Sequence, residues 1–520
     1  MENKDYRSFE FINDAIGNRP LFVQFEVNPL WLATGLDIAV QASKRSGVTF
    51  VLFEKGLLKP LRRINSSSRR IKFRKLAKVF SLIFDLCFRT FFLNRYLNFF
   101  KNHYPSIQLV IKSIKSGSRL TGDAAKRNKQ INSQCFPSIQ QIEQIVEINL
   151  NEEYAFSYIY RKFLKRYRFN LYVRSCIDVG NQILEILDSS EYSSLVVMNG
   201  RFMHESIIRI IAENLGYPVI ALDHNIYGNR VQSFKSHCLN ADYILEISNN
   251  FWEQHNASTE GQFLVKVRNE TFFSDRSKSS TVNNFLKSYS ANNFSTHTEG
   301  EVAKTILLLT SSNDELEAYA FLTGSPKVNQ ISVIHEFVEW FDSFNTIETS
   351  RYTLIIRIHP NTRFKDKQVR NSFNTLKETN NVKIYGAFSK INTFDLLHRS
   401  DIVISFDTSL SLDAAYLQKS SFSLYDGFFT SLGVTKNIMR ENFQNIFEPD
   451  FECLEVHKQN SQKVALFQSE FGAEMLYFDS KTYEWDNKSS SIIVDPIRHA
   501  KFLIIQALLR FANQAGKRRG

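Results

Sequence analysis

Cysteine is scarce in this chain of 520 residues. Cys87, Cys135, Cys176, Cys238 and Cys453 are odd in number, far apart, and form no CxxC pair. That argues against a disulfide framework and against a zinc site, and it fits a reducing cytoplasm. Long apolar runs are missing too. No stretch of about 18 apolar residues exists, so no membrane span is expected. The N-terminus, MENKDYRSFEF, has no apolar h-region, so no secretory leader is expected. No internal repeat is visible. Acidic residues are the minority charge, 53 Asp plus Glu against 64 Lys plus Arg, for a net +11. A surplus of that size suits an anionic partner: nucleotide, nucleic acid, anionic lipid or acidic glycan. It equally serves plain solubility. The chain carries no recognisable nucleic-acid motif, and its basic residues concentrate in one segment, so nucleic acid is not an expected partner.

What is present is an α/β pattern of domain length. Hydrophobic residues make up 43% and charged residues 22%, as in folded soluble proteins, and 520 residues suggest two domains or three. "LFVQFEV", a helical pattern from Trp31 to Ser43 and "VTFVLFE" open a βαβ unit. From Lys59 to Lys78 there are nine basic residues and no acid. An apolar but charge-interrupted stretch follows, to about 103, which reads as a helical insertion or as a segment lying on an anionic membrane. A polar loop leads to about 150. The pattern resumes with the strand "SSLVVMNG", a helix closed by Gly216, and the strand "YPVIALDHN". A Ser-, Asn- and Thr-rich stretch over 270–300 reads as a junction. Beyond it come the strands "TILLLTSS", "YTLIIRIHP", "NVKIYG", "DIVISFD" and "SFSLYD", separated by helices at Gln330–Phe344, about 366–378, "NTFDLLHRS" and "SLSLDAAYLQ". These strands are continuous apolar runs, as in parallel sheets covered on both faces. The expected fold is two Rossmann-like doubly wound domains facing a cleft. The first spans 1–280 with a basic insertion and loop at 59–150; the second spans 301–495; a helix and basic tail occupy 496–520.

In open α/β sheets ligands bind at the carboxyl ends of the strands. The strand "LIIRIH" stops at His359-Pro360, because proline cannot continue the ladder and fixes the turn behind it. His359 reads either as a phosphate ligand or as a turn cap, and Arg357, two residues earlier, shares its strand face. Asp407, Thr408 and Ser409 lie where "DIVISF" meets a helix. Hydroxyls and backbone N–H groups there make a phosphate site. Ser311 and Ser312 follow the first strand of the second half and read as ligand contacts or as a helix cap. Gly427 follows "SFSLYD" and permits close backbone approach. In the first half, Asn199 and Arg201 follow a strand and read as acceptor contacts or as a turn. Asp223 and His224 end the next strand, and Glu26 ends the first.

The second half resembles bacterial capsule and lipopolysaccharide glycosyltransferases of the two-Rossmann (GT-B) type, over "LTSSNDELEA", "LIIRIHPN" and "INTFDLLHRSDIVISFDTSLSLDAAYLQKSSFSLYDG". In that family, as in Kdo transferases and bacterial sialyltransferases, a His-Pro pair and a later Ser/Thr pair bind the nucleotide-sugar phosphate. The resemblance assigns those roles to His359-Pro360 and Thr408-Ser409. Where the family carries a Glu that reaches the ribose, this chain has the shorter Asp413. "VVMNGRFMHESIIRIIAENLGYPVIALDHNIYG" resembles the first half of the family more loosely.

The resemblance implies transfer of a sugar from a nucleotide-sugar, with a CMP-sugar such as CMP-Kdo tested first, to a surface polysaccharide or a lipid-linked glycan. No cofactor is expected to be bound permanently, and the absence of an Asp-x-Asp motif leads to the expectation of a metal-independent reaction. Catalysis needs donors on the phosphate leaving group and a carboxylate base for the acceptor hydroxyl. Asp223 is the first candidate for that base, with His224 the second and Glu26, otherwise an acceptor contact, a further one. The basic segment would hold the protein at the inner face of the cell membrane through 59–100. The alternative is a non-catalytic member that binds nucleotide or glycan within a polysaccharide-assembly complex.

Overall fold

The structure is a computed structural model that describes residues 9–25, 29–54, 95, 97–114, 135–153, 161–225, 230–278, 304–347, 352–360, 362, 371–447, 451–479, 484–486 and 491–493. The basic segment 59–78, Glu26, the stretch 279–303, residues 366–370 and the tail 496–520 lie outside the described residues, and with them most of the expected insertion.

The described residues fall into two compact units. The first holds those within Glu2–Glu143, Arg168–Cys238 and Gly472–Gly520, and the second those within Gln144–Tyr167 and Leu239–Phe471. The helices Ala241–Asn256 and Thr259–Lys278 therefore belong with the second unit. The sequence pattern had set its boundary further on, in the polar stretch after 270. Physically, the helix Phe451–Glu470 packs against both of these helices, and Arg268 pairs with Glu470 at 3.0 Å.

The first unit is built on β1 (Pro20–Phe25), β2 (Val48–Glu54), β3 (Ile107–Ser113), β4 (Ser194–Met198), β5 (Val219–His224) and β6 (Arg230–Lys235). Every residue of β1 and β4 is buried, as expected of strands covered on both faces. The parallel order is β3-β2-β1-β4-β5, and β6 closes antiparallel on β5. The reversal of winding falls between β1 and β4, which is where such sheets place ligands. The helix Met203–Asn214 follows β4, and Gly216 ends the helical segment in a left-handed conformation at φ +80°.

The second unit has β7 (Lys304–Leu309), β8 (Tyr352–Arg357), β9 (Val382–Tyr385), β10 (Ile402–Ser405), β11 (Ser420–Ser423) and β12 (Lys436–Asn437), all parallel, in the order β9-β8-β7-β10-β11-β12. Counted from the first strand, this is the 3-2-1-4-5-6 winding of a dinucleotide-binding sheet, with its switch point between β7 and β10.

After Phe471 the chain returns to the first unit. β13 (Ala473–Glu474) pairs antiparallel with β6. β14 (Phe478–Asp479), β15 (Glu484–Asp486) and β16 (Ser491–Ile493) form a small antiparallel sheet. Asp37, fully buried on the helix Pro29–Ser43, fastens this return. Its carboxylate accepts the backbone N–H groups of Leu476, Tyr477 and Phe478 at 3.3, 2.9 and 2.9 Å. Burial pushes the Asp37 carboxyl up, and those N–H groups and Gln41 pull it back. Trp485, also fully buried, packs among Phe100, Tyr104 and Tyr477 and donates its indole N–H to Tyr104 Oη at 3.1 Å.

Candidate active site

In the second unit three adjacent strands end together. Leu309 of β7 is in register with Ser405 of β10 on one side and with Arg357 of β8 on the other. The segments that follow are Thr310-Ser311-Ser312, Phe406 to Ser409, and Ile358-His359-Pro360. They are bonded to one another. Ser311 Oγ donates to the Asp407 carbonyl at 3.4 Å, and the His359 backbone N–H donates to Thr310 Oγ1 at 2.7 Å. Thr310, Ser311, Ser312, Thr408 and Pro360 are buried, His359 is half-buried and Ser409 is exposed. The structure thus brings His359, Pro360, Ser311, Ser312, Thr408 and Ser409 to neighbouring strand ends at one switch point.

Asp407 was passed over as a ligand in the sequence, yet it organises this corner. Its φ of +48° places a non-glycine residue in the left-handed region, a strain that aspartate tolerates better than most residues. Its Oδ1 accepts the Phe429 N–H at 2.8 Å, at the start of the short helix Phe428–Ser431. A β-carbon at Gly427 would lie 2.5 Å from Asp407 Cγ, so glycine is required there for the approach of this carboxyl. Burial pushes the Asp407 pKa up to about 6, against the pull of the Phe428 and Phe429 N–H groups.

Arg357 is turned into the fold. It is 2% exposed and donates to the carbonyls of Gly386 at 2.7 Å and of Tyr385 and Ser389 at 3.5 Å, and to Thr393 Oγ1 at 3.3 Å. These bonds tie β8 to the turn after β9 and to the helix Thr393–Arg399. Asp413, on the helix Leu410–Tyr416, is buried and engaged by Arg276 of the helix Thr259–Lys278. Neither 137-residue-distant partner carries a sequence signal for the other. Only the structure reveals the pair.

The first unit gathers a different set at the carboxyl ends of β4 and β5. Asn199 and Gly200 are consecutive left-handed residues, at φ +63° and +73°. Glycine is needed at the second, because a β-carbon there would lie 2.7 Å from the Ser236 carbonyl. The Asn199 amide donates to Asp223 Oδ2, and Asp223 Oδ1 accepts the His224 N–H at 2.8 Å. Burial raises the Asp223 pKa, offset in part by those donors and by the Arg201 charge. Arg201 also sits over the Phe202 ring at 5.1 Å. His224 Nε2 shares a hydrogen bond with Thr34 Oγ1, a contact the sequence does not announce, and burial lowers the imidazole to about 4. His224 is therefore neutral at physiological pH. Asn199, Arg201, Asp223 and His224 converge here, while Glu26 lies outside the described residues.

Among the described residues no group of three or more His, Cys, Asp or Glu side chains is arranged to hold a metal, and no helix is long and apolar enough to cross a membrane.

No family model matches the sequence, and no curated protein sequence matches it. Solved structures do match in part. KpsC of Thermosulfurimonas dismutans, a beta Kdo 2,4 transferase, is 10% identical over 55% of this chain and 85% of its own, with a TM-score of 0.34. MnaA of S. aureus, solved with UDP, is 9% identical over 87% and 94%, with a TM-score of 0.28. A glycosyltransferase from Rickettsia africae is 10% identical over 88% and 94%, with a TM-score of 0.27. The fold assignment rests on the strand orders: two doubly wound α/β units, each with a ligand-type switch point.

Proposed function

We propose that the protein is a nucleotide-sugar-dependent glycosyltransferase that extends a surface polysaccharide or lipid-linked glycan. The observation that carries the reading is the joining of three strand ends around the β7–β10 switch point, where Ser311 is bonded to Asp407 and Thr310 to His359. Such a corner presents hydroxyls, an imidazole and backbone N–H groups to a phosphate. Those donors would stabilise the charge that develops on the nucleotide phosphate as the sugar leaves. The motif resemblance supports the same roles for His359, Thr408 and Ser409. The acceptor hydroxyl would be deprotonated by Asp223, whose burial makes it a stronger base than a solvated aspartate. His224 is the poorer base, because burial holds it at about 4. Asn199 would orient the Asp223 carboxylate, and Arg201 would contact the acceptor. A CMP-sugar such as CMP-Kdo is the first donor to test, ahead of UDP- and GDP-sugars.

A second reading keeps nucleotide binding and drops the chemistry. It is favoured by the engagement of Asp413 with Arg276. The test is nucleotide release from CMP-Kdo, UDP-sugars and GDP-sugars by the full chain, with and without glycan acceptors. Release from one donor class, lost in Asp223→Asn, is the expected result. Binding of nucleotide without release from any donor would leave only the second reading. Absence of both would remove the two together.

A further inference from the structure

The helix Leu410–Tyr416 starts immediately after Thr408-Ser409, so whatever fixes that helix fixes the proposed phosphate corner. The helix Thr259–Lys278 holds it at both ends. Near its start, Arg276 Nη2 donates to the Ser409 carbonyl at 3.0 Å. The same guanidinium grips Asp413, with Nη2 to Oδ2 at 2.7 Å and Nε to Oδ2 and Oδ1 at 3.1 and 3.2 Å. At the far end, Phe273 stacks on Tyr416 with centroids 3.8 Å apart and planes 12° from parallel. The Arg276 and Asp413 side chains are only 4% and 5% exposed. Arg276 further lies over the Phe272 ring at 5.5 Å.

A carboxylate so buried, and held by two guanidinium N–H groups, one of them shared between its oxygens, has little room for another ligand. Burial raises the Asp413 carboxyl above the ordinary aspartate range, and the Arg276 charge and its hydrogen bonds offset that rise in part. From this geometry we infer that Arg276 is a positioning residue for the phosphate corner, and that Asp413 serves as its anchor rather than as a ribose ligand. The inference rests on the nucleotide-binding reading above. Arg276 reaches no substrate. It acts through the Ser409 carbonyl and Asp413, setting where the first turn of the helix and the Thr408-Ser409 hydroxyls stand. Lysine cannot replace it, because a single ammonium cannot hold both carboxylate oxygens and a carbonyl in one plane.

The exchange test uses the full chain as wild type, as Arg276→Lys, and as Arg276→Met combined with Asp413→Leu; the nucleotide comparison adds Asp413→Asn. The double variant removes both charges and keeps apolar volume, so it does not strand a buried charge. Amide hydrogen exchange without ligand is read over Phe406–Ala414 and, as a control, over β7 and β8. Both variants are expected to exchange about tenfold faster at Ser409–Leu412, with the strands unchanged. Nucleotide affinity should weaken in parallel. The ratio of affinities for a ribonucleotide and its 2′-deoxy analogue should stay at the wild-type value in Asp413→Asn. Unchanged exchange over Ser409–Leu412 would overturn the positioning role. A ratio that collapses to one in Asp413→Asn would overturn the anchor role and return Asp413 to the ribose. If the wild type binds no nucleotide, the glycosyltransferase reading falls, and the exchange result alone still decides whether Arg276 positions this helix.

Discussion

The two units wind their sheets in the same order as far as the fifth strand, yet the side chains at their strand ends differ. In the second unit Thr310, Ser311, Thr408, Ser409 and His359 stand at the strand ends, with Ser311 bonded to the Asp407 carbonyl and His359 to Thr310. In the first they are Asp223, Asn199 and a neutral His224, with the Asp223 carboxylate accepting from both of the others. Each corner also contains a non-glycine residue at positive φ, Asp407 in one and Asn199 in the other. Strained backbone of that kind persists only where surrounding bonds hold it.

Substitutions that break one corner and spare the other sharpen this contrast. The largest effect is expected from Asp223→Asn. Turnover should fall by at least ~100-fold, as for loss of a general base, while calorimetric nucleotide affinity stays at the wild-type value. Gly427→Ala should act on the other corner, since its new methyl meets Asp407 Cγ at 2.5 Å. Overpacking of this kind costs about 1–3 kcal/mol, visible as a lower urea midpoint and as weaker nucleotide binding.

Asp407→Asn comes next. The folded carboxyl, raised to about 6, holds its proton more tightly than an unfolded aspartate does. Wild-type stability should therefore decline as pH rises from about 4 to about 6, and the loss should be complete above that window. The asparagine variant keeps an acceptor for the Phe429 N–H and lacks this titration. Its stability relative to wild type should rise across the window and then level off. Urea midpoints at pH 4, 5, 6 and 7 check it, and a difference independent of pH would contradict the raised carboxyl. Thr34→Val should have the smallest effect. It removes only the hydroxyl that holds His224, and a turnover loss under about tenfold is expected, the cost of one neutral hydrogen bond.

Much of the fold was legible before the structure. β1, β2, β4, β5, β7, β8 and β10 were readable as apolar runs, as strands largely buried on both faces are, while β9 (VKIY) and β11 (SSFS) were found from the α/β alternation around them. β6, with the sequence RVQSFK, was not, since Gln232 and Ser233 are polar residues buried inside a sheet. β3 sits at a sheet edge and ends on Lys112-Ser113, and β12 is two residues long. The His359 and Thr408-Ser409 positions could be read from motifs at strand ends. The partners could not. Arg276 with Asp413, Thr34 with His224, and Asp37 with the 476–478 backbone are contacts between residues 137 to 441 positions apart. No local pattern encodes them. Arg357 shows the opposite failure. Its strand position suggested a ligand contact, and its guanidinium is instead bonded to the carbonyls of Tyr385, Gly386 and Ser389.

The most direct test of the central claim is calorimetry of CMP, UDP and GDP with the full chain, beside His359→Ala. The account predicts micromolar binding of one nucleotide, weakened by about 10- to 100-fold in the variant, as for loss of a hydrogen bond to a charged group. Equal binding to wild type and variant, or no binding of any of the three, would contradict a phosphate site at the β7–β10 switch point.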